Sequence, residues 1–148
     1  MQDSFLHLKQ EHGFTLDEIL ALFKDAELMM PASLFKEEGS PLSLVVHYLL
    51  EDCHLLLKDI PPLLHRSYHA VWGAARRIKG RRWIRLEETS YHVPMSCFSS
   101  GLSIMESIVV YLKERLGLTY HDIADALGRD DRTVWTYHHR ALKKRRTS

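Results

Sequence analysis

The side chains with the clearest capacity for chemistry lie near the C-terminus, in the stretch LGRDDRTVWTYHHRALKKRR at 127–146. Two adjacent acids stand near its start, four consecutive bases end it, and a Trp, a Tyr and two His lie between them. Guanidinium and ammonium groups bind phosphate oxygens and the acceptor edge of guanine, and hydroxyl and imidazole groups add further hydrogen bonds. This combination predicts contact with nucleic acid. The residues predicted to make it are Arg129, Arg132, Thr133, Thr136, His139, Arg140, Lys143 and Lys144.

The remaining reactive side chains lack the spacing that catalysis or metal binding requires. The chain has 10 His, and His65 and His69 are four residues apart, but no Cys or carboxylate cluster completes a four-ligand set. Ser96, Ser99 and Ser100 have no nucleophile-elbow context, and no glycine-rich phosphate loop is present. We therefore expect no enzymatic activity, no metal and no cofactor.

Composition is typical of a soluble globular protein. Of the 148 residues, 45% are hydrophobic and 26% charged, which is enough to bury a core. No apolar run approaches the roughly 18 residues of a membrane span, and the N-terminus lacks the pattern of a secretory signal. Cys53 and Cys97 lie far apart without a metal spacing, which favours reduced thiols and a cytoplasmic location.

Charge is divided unevenly along the chain. Residues 1–75 carry 5 Lys and Arg against 11 Asp and Glu, whereas residues 76–148 carry 15 against 8. The net charge of +1 therefore conceals an acidic half of −6 and a basic half of +7. Such a division indicates nucleic-acid contact by the basic half, and ordinary solvated helix surface is the alternative.

The sequence repeats itself. Residues 31–80 align without gaps on residues 94–143, at an offset of 63 positions. The identical pairs include Pro31/Pro94, Ser33/Ser96, Phe35/Phe98, Tyr48/Tyr111, Asp59/Asp122, Arg66/Arg129, Val71/Val134, Trp72/Trp135 and Arg77/Arg140. Two copies of one unit of about 50 residues are predicted, each large enough for a minimal core. A weaker match opens the chain, where residues 8–25 resemble 112–129, and we interpret residues 1–30 as a truncated copy that caps the first unit.

The second unit has the periodicity and stop signals of three helices. Residues 102–117 are apolar along one helical face, and Gly117 ends that helix. Thr119 caps a short helix that Gly128 ends, and Asp130 caps a third helix. A short helix, a glycine turn and a second helix form a helix-turn-helix, whose last helix enters the DNA major groove. The predicted inner stripe of that helix is Val134, Tyr137, Ala141 and Leu142.

The first unit departs from this pattern in its middle helix and its turn. Pro61 and Pro62 require that helix to end by Ile60 or to restart with proline in its first turn. His65 stands where the second unit has Gly128, so a different turn is expected. Whether the last helix of this unit reads bases, or only packs and contacts phosphates, stays open. Its candidate DNA contacts are Arg66, His69, Arg76 and Arg77.

A basic and aromatic linker at 81–93 joins the two units. It contains Arg81 and Arg82 next to Trp83 and Ile84, and its β-branched and aromatic residues suit a short extended segment. Two interpretations are open. Either the arginines lie along the DNA backbone, or the apolar side chains pack back on the helices.

The predicted fold is therefore all-α, with two tandem helix-turn-helix units and a partial helical unit before them. The predicted divisions are a cap at 1–30, a degenerate first unit at 31–80, the linker at 81–93, and the second unit with its basic tail at 94–148.

The second unit resembles the helix-turn-helix of the euryarchaeal archaellum regulators and related small archaeal transcription factors. The likeness lies in the Pro94-x-Ser96-x-Phe98 opening, the stretch LGLTYHDIADALGRDDRTVW and the basic tail. It covers residues 31–146 but is strong only in the second unit, and it implies a tandem array that binds promoters as a transcriptional regulator, typically an activator of motility genes. The same stretch is more distantly similar to the −35-reading domain of bacterial sigma factors and to the origin-binding domain of the replication initiator.

The leading hypothesis is sequence-specific binding of double-stranded promoter DNA, with the helix at 130–144 in the major groove. Because two units share one chain, we expect a monomer with pseudo-dimeric repeats or a weak homodimer, on a site with two unequal halves. Basal transcription proteins are possible further partners, and no membrane partner is expected. Two alternatives are a protein-interaction module of the transcription machinery and a single-stranded nucleic-acid binder that stacks bases on Trp83, Trp135 and Tyr137.

Overall fold

The computed structural model describes Gly13 and residues 15–18, 28–80 and 91–147. Over these residues the chain is mostly helical, with a single two-stranded sheet, which confirms the all-α class. None of the helices within this part of the chain is long and apolar enough to cross a membrane. The predicted contacts Arg81 and Arg82, and most of the predicted cap at 1–30, lie outside the described residues.

The first set of elements begins with a short strand and ends with a helix of 10 residues. The strand is followed by a 3-10 helix, an α-helix with a π-helical end, a 3-10 turn and two further α-helices. Side-chain caps define the helix starts, since Ser40 accepts from Ser43 N at 3.2 Å and Ser67 accepts from Ala70 N at 3.1 Å. In chain order the elements are β1 (Met29–Pro31), the 3-10 helix Ala32–Lys36, α1 (Pro41–His47), the π-helix Tyr48–Asp52, the 3-10 turn Leu57–Asp59, α2 (Ile60–Leu64) and α3 (Tyr68–Arg77).

The second set repeats this order without the 3-10 turn, and its last two α-helices are longer. Ser103 and Glu106 form a capping box, Thr119 accepts from Asp122 N at 3.1 Å, and Asp130 accepts from Thr133 N at 2.7 Å. The helix predicted over 102–117 is α-helical only over Ile104–Val110 and continues as the π-helix Tyr111–Arg115. The elements are β2 (His92–Pro94), the 3-10 helix Met95–Cys97, α4 (Ile104–Val110), the π-helix Tyr111–Arg115, α5 (Tyr120–Leu127) and α6 (Asp131–Thr147).

The helix-turn-helix turn has the same backbone conformation in both sets. Helix α2 carries its two prolines in the first turn, which is the second of the two outcomes predicted. His65 at the end of α2 has φ 52° and ψ 44°, and Gly128 at the end of α5 has φ 66° and ψ 37°. The expectation of a different turn at His65 is wrong. A non-glycine residue in this left-handed region is strained, so the packing of the flanking helices holds it there.

Glycine is favoured at Gly128 for two separate reasons. Its φ is positive, and a Cβ there would lie 3.0 Å from Lys36 Cγ and 3.5 Å from Lys36 Cα. Gly117 also has a positive φ, at 68°, but a Cβ there would meet nothing within 4 Å. We expect Gly117→Ala to lower the free energy of unfolding by about 1–2 kcal/mol. Gly128→Ala should lower it further, and equal losses in urea titrations of the two variants would show that the contact with Lys36 is accommodated.

The strands relate the two sets by an approximate two-fold axis. β1 and β2 pair in antiparallel fashion with Met30 opposite Val93, and these two residues are equivalent at the 63-residue offset. The flanking hydrogen bonds are equivalent too, since Ala32 N donates to Tyr91 O and Met95 N donates to Leu28 O, each at 3.0 Å. An axis through the Met30–Val93 pair therefore relates one set to the other.

Each set also sends its 3-10 helix onto the other set. The 3-10 helix Ala32–Lys36 packs against α5, and the 3-10 helix Met95–Cys97 packs against α2. The buried side chains form one hydrophobic cluster that runs from Met30 to Val134. The two sets therefore share one core, in which the exchanged segments pack against the opposite set.

The described part of the N-terminal region has local features of the other two copies. Gly13 has a φ of 65°, which is close to the 68° of Gly117. Thr15 and Glu18 cap each other, with Glu18 N donating to Thr15 Oγ1 at 3.3 Å and Thr15 N donating to Glu18 Oε2 at 3.0 Å. This reciprocal pair starts a helix in the manner of the capping box at Ser103.

Candidate nucleic-acid interface

Helix α6 lies against α4 and α5 by one face. Val134 and Ala141 are fully buried on that face, as predicted, and Tyr137 and Leu142 are half-buried. His138 is also buried, at 8% exposure, although it is not part of the predicted inner stripe. Its spacing from Val134 and Ala141 was the available signal, because residues four and three apart share a helical face.

His138 links α6 to the elements beneath it. Its Nδ1 lies 2.8 Å from the Tyr120 hydroxyl on α5, and its Nε2 lies 3.5 Å from Glu114 Oε2. Glu114 Oε1 in turn accepts from Arg145 Nη2 at 3.0 Å. Burial raises the pKa of the Glu114 carboxyl, but the hydrogen bond and charge of Arg145, together with His138, outweigh it and hold the pKa below its usual range. These contacts fix the rotation of α6 about its own axis.

Lys144 is an anchor of α6, in place of the DNA contact that the sequence suggested. Its ammonium donates to Oε1 of the buried Glu106 at 2.6 Å, and the same oxygen accepts from Ser103 N at 3.1 Å. Burial raises the pKa of Glu106, but the Lys144 and Ser103 hydrogen bonds and the charges of Lys144 and Arg140 outweigh it and lower the pKa. Since the carboxylate is buried and charged, the ion pair holds the Lys144 ammonium at Glu106, although the Lys144 side chain is about half exposed.

Arg66 and Arg129 were also predicted to contact DNA, and the structure gives both another role. Arg129 Nη1 donates to the carbonyl oxygens of Phe35, Leu127 and Gly128 at 3.0, 3.2 and 3.3 Å. Arg66 binds the equivalent carbonyls of its own turn, and also reaches the second set of elements. Its acceptors are Leu64 O at 3.1 Å, His65 O at 3.3 Å, Ser99 O at 3.4 Å and Leu102 O at 2.9 Å. Each guanidinium thus closes a helix-turn-helix turn and joins it to the opposite unit.

The outer face of α6 is basic and exposed. Arg132, His139, Arg140 and Lys143 are exposed there, and Thr133 and Thr136 are half-buried beside them. Thr136 Oγ1 donates to the Arg132 carbonyl at 2.9 Å, which leaves the hydroxyl oxygen as an acceptor. No Asp or Glu occurs between residues 132 and 147. Apart from Arg129 and Lys144, the side chains predicted from this helix therefore share one surface.

Trp135 belongs to the same surface, although it is not among the residues predicted to contact double-stranded DNA. Its side chain is 48% exposed, and its ring stacks on that of His139 with centroids 3.7 Å apart and planes inclined by 23°. His139 Nδ1 lies 3.0 Å from the Trp135 carbonyl oxygen. The surface of α6 therefore combines positive charge with an ordered aromatic stack.

Helix α3 carries a related surface at equivalent positions. Trp72, which corresponds to Trp135, is 39% exposed, and Tyr68 is 55% exposed. His69 stacks with Trp72 at a centroid distance of 6.4 Å, and the Arg76 guanidinium carbon lies 4.7 Å from the Trp72 ring centroid. The predicted residues His69, Arg76 and Arg77 are all exposed on α3.

Reactive groups away from these helices are sparse within the described residues. Burial, with a contribution from the Asp52 charge, raises the pKa of the Cys53 thiol to about 12, so this thiol is not a nucleophile near neutral pH. In the described ranges, no three His, Cys, Asp or Glu side chains are grouped in a way that could hold a metal ion.

The comparison with known families concerns the second set of elements. Residues 100–144 match the family model described as Sigma-70, region 4, and the match spans α4, α5 and most of α6. No curated protein and no solved structure matches the chain. Residues 100–144 are therefore similar to a sigma-70 region 4 domain, a helix-turn-helix of the DNA-binding type.

Proposed function

We propose that the chain binds double-stranded DNA in a sequence-specific manner and regulates transcription at promoters. The observation that carries this proposal is the outer face of α6, where exposed basic side chains surround the Trp135–His139 stack on the last helix of a sigma-70 region 4 domain. Helices in this position of a helix-turn-helix enter the major groove by their N-terminal part. The face of α6 is suited to that contact because, among the described residues, its basic side chains are exposed.

The side chains divide by their position along α6. Arg132 is the second residue of the helix, and its guanidinium can reach a guanine edge with two hydrogen bonds. Thr136 and Trp135 lie one turn later, where a hydroxyl acceptor and an apolar ring meet bases or sugars. Lys143 and Arg146 lie near the C-terminal end and suit contacts with phosphates, which position the helix without reading sequence.

The buried contacts of α6 prepare it for binding. His138, Lys144 and Arg145 hold the helix to Tyr120, Glu106 and Glu114 in the free protein. The orientation of the outer face is therefore set before DNA arrives, and binding does not have to order the helix. This arrangement supports recognition by a rigid element, which favours sequence-specific contact over adaptable binding of single strands.

Activation of archaellum genes is a finer proposal, and its support is the sequence resemblance to archaellum regulators. We propose basal transcription proteins as further partners on the same grounds, and we propose that the chain has no enzymatic activity. Transcript measurements in cells with and without the intact gene would test the target and the sign of regulation together. A fall in motility transcripts on deletion is the expected result, and unchanged transcripts would contradict it.

Selection of bound duplexes from a random pool, followed by competition and salt titration, tests the proposed function. We expect a consensus sequence and weak competition by the corresponding single strands. The logarithm of affinity should fall with the logarithm of salt concentration with a slope of about −2, since the two phosphate contacts at Lys143 and Arg146 release counterions. Equal competition by single strands would instead favour stacking on Trp135, and absence of binding to any duplex would favour a protein-interaction role.

A further inference from the structure

We infer that one chain spans one duplex and reads a site of two inverted halves at a fixed spacing, with α6 on one half and α3 on the other. This inference rests on the proposed function of α6. It adds a second DNA-contacting helix, the relative direction of the two half-sites, and one chain per site. The observations that carry it are the two-fold relation between the sets of elements, the contacts that lock them together, and the surface of α3.

The two-fold symmetry is shown by the pairing of β1 with β2. Met30 and Val93 are equivalent positions at the 63-residue offset. The hydrogen bond from Ala32 N to Tyr91 O is equivalent to the one from Met95 N to Leu28 O, because Ala32 corresponds to Met95 and Leu28 to Tyr91. An antiparallel pair with this register has a local two-fold axis between its strands. Helices related by a two-fold axis approach a duplex in opposite directions, as they do in dimeric helix-turn-helix proteins that bind palindromic operators. Inverted half-sites follow, whereas a translational repeat would require direct ones.

The two sets are also locked together. Arg129 reaches across to Phe35, Arg66 reaches across to Ser99 and Leu102, and the exchanged 3-10 helices pack under the opposite turns. Helices α1 and α4 contact each other beside the same axis. The separation of α3 and α6 is therefore set by a shared core. A flexible tether would tolerate half-sites at many spacings, but a shared core permits one.

The surface of α3 is suited to DNA, although the first set of elements departs from the sequence pattern. Residues 60–80 contain no Asp or Glu, and Arg76, Arg77 and Lys79 are exposed there. Among the described residues, five large hydrophobic side chains are exposed, and three of them lie on the outer faces of α3 and α6. These three are Tyr68, Trp72 and Trp135. A helix whose only role is packing does not require exposed aromatic side chains on its outer face, such as Trp72 with the Arg76 guanidinium over its ring.

The two half-sites should differ in how strongly their base sequence is specified. Where α6 has Arg132, Thr133 and Thr136, α3 has His69, Ala70 and Gly73. Fewer side chains on α3 can form hydrogen bonds with base edges, so its half should depend more on phosphates and on stacking or apolar contacts. The expected consensus therefore has one strongly specified half and one weakly specified half in inverted orientation.

The experiment is selection of long random duplexes by the full-length chain and by two variants, with the mass of each complex measured. One variant is Trp72→Ala with Arg76→Ala, and the other is Arg132→Ala. Arg115→Ala is the matched control, because it removes an exposed positive charge that lies outside both helix-turn-helix motifs. Circular dichroism confirms folding, and Arg76→Glu alone is a second variant on the exposed surface if the double variant does not fold.

The wild-type chain should select an inverted bipartite site and bind it as one chain per duplex. The α3 variant should lose the weaker half and about 10-fold in affinity, while it keeps the stronger half. Inserting about five base pairs, roughly half a helical turn, between the halves should reduce wild-type affinity to the level of that variant.

Several results would overturn the inference while leaving the proposed function intact. They are a single uninterrupted half-site, direct repeats, two chains per duplex, tolerance of the insertion, or an α3 variant with wild-type site and affinity. Failure of the wild-type chain to bind any duplex would overturn the proposed function and this inference together.

Discussion

Replacing Arg132 with alanine is expected to weaken binding to the preferred duplex by about 10- to 100-fold and to relax preference at one base pair. Arg132 is exposed at the N-terminal end of α6, where residues of a recognition helix meet base edges. A bidentate pair with guanine contributes about 1–3 kcal/mol of discrimination, and its loss is confined to the base it contacts. Fluorescence anisotropy on the selected duplex and on its single-base variants would measure both effects.

Lys143→Ala provides the contrast within the same helix. Lys143 is exposed near the C-terminal end of α6, so we expect it to contact a phosphate. Its loss should weaken binding by a similar factor on every sequence and reduce the salt slope by about one. Arg115→Ala should change neither quantity. If Arg132→Ala lowers affinity uniformly, as Lys143→Ala is expected to do, then Arg132 does not read bases.

Replacing Arg129 with alanine is expected to lower the free energy of unfolding by about 1.5–3 kcal/mol in the absence of DNA. The guanidinium donates to carbonyl oxygens of the α5–α6 turn and of Phe35 in the other set of elements. Its removal leaves partly buried carbonyls without a donor and releases one link between the two sets. For a chain of this size the loss corresponds to a fall in melting temperature of roughly 3–12 °C.

Arg66→Ala should have an effect of similar size, because Arg66 makes the equivalent contacts on the opposite side of the axis. Arg132→Ala is the internal control and should change the free energy of unfolding by less than about 0.5 kcal/mol, since its side chain is exposed. Thermal and urea unfolding of the three variants without DNA would measure these values. An unchanged melting temperature for Arg129→Ala would show that these hydrogen bonds do not stabilise the fold, and it would favour the predicted contact of Arg129 with DNA.

Short-range patterns in the sequence were sufficient for the helices and for most of the surface of α6. Caps at Ser67, Thr119 and Asp130 act on donors within three residues, so their positions are readable without the fold. The apolar spacing of Val134 and Ala141 set which side of α6 faces inward. The exposure of Arg132, His139 and Lys143 follows from that orientation, because these residues lie on the opposite side of the same helix.

The roles of several basic residues could not be inferred from the sequence and were decided by the tertiary structure. Arg129 meets Phe35 across 94 positions and Arg66 meets Leu102 across 36, so no local pattern separates these arginines from those that face solvent. Lys144 and Arg145 sit in a run of four bases, and only the positions of Glu106 and Glu114 assign them to the protein. An arginine or lysine side chain donates hydrogen bonds to any acceptor within reach. The fold decides whether a carbonyl or carboxylate of the protein is that acceptor.

The sequence by itself determined two related sets of helices and an exposed basic last helix, because periodicity, caps and repeats act within a few turns of chain. The fold alone decided that the sets exchange their 3-10 helices, share one core and lie about a two-fold axis. It also decided that His65 adopts the conformation of Gly128 without being glycine. The physical reason is that strand pairing and core packing join residues far apart in sequence, and their combined free energy outweighs the local preference of any one residue.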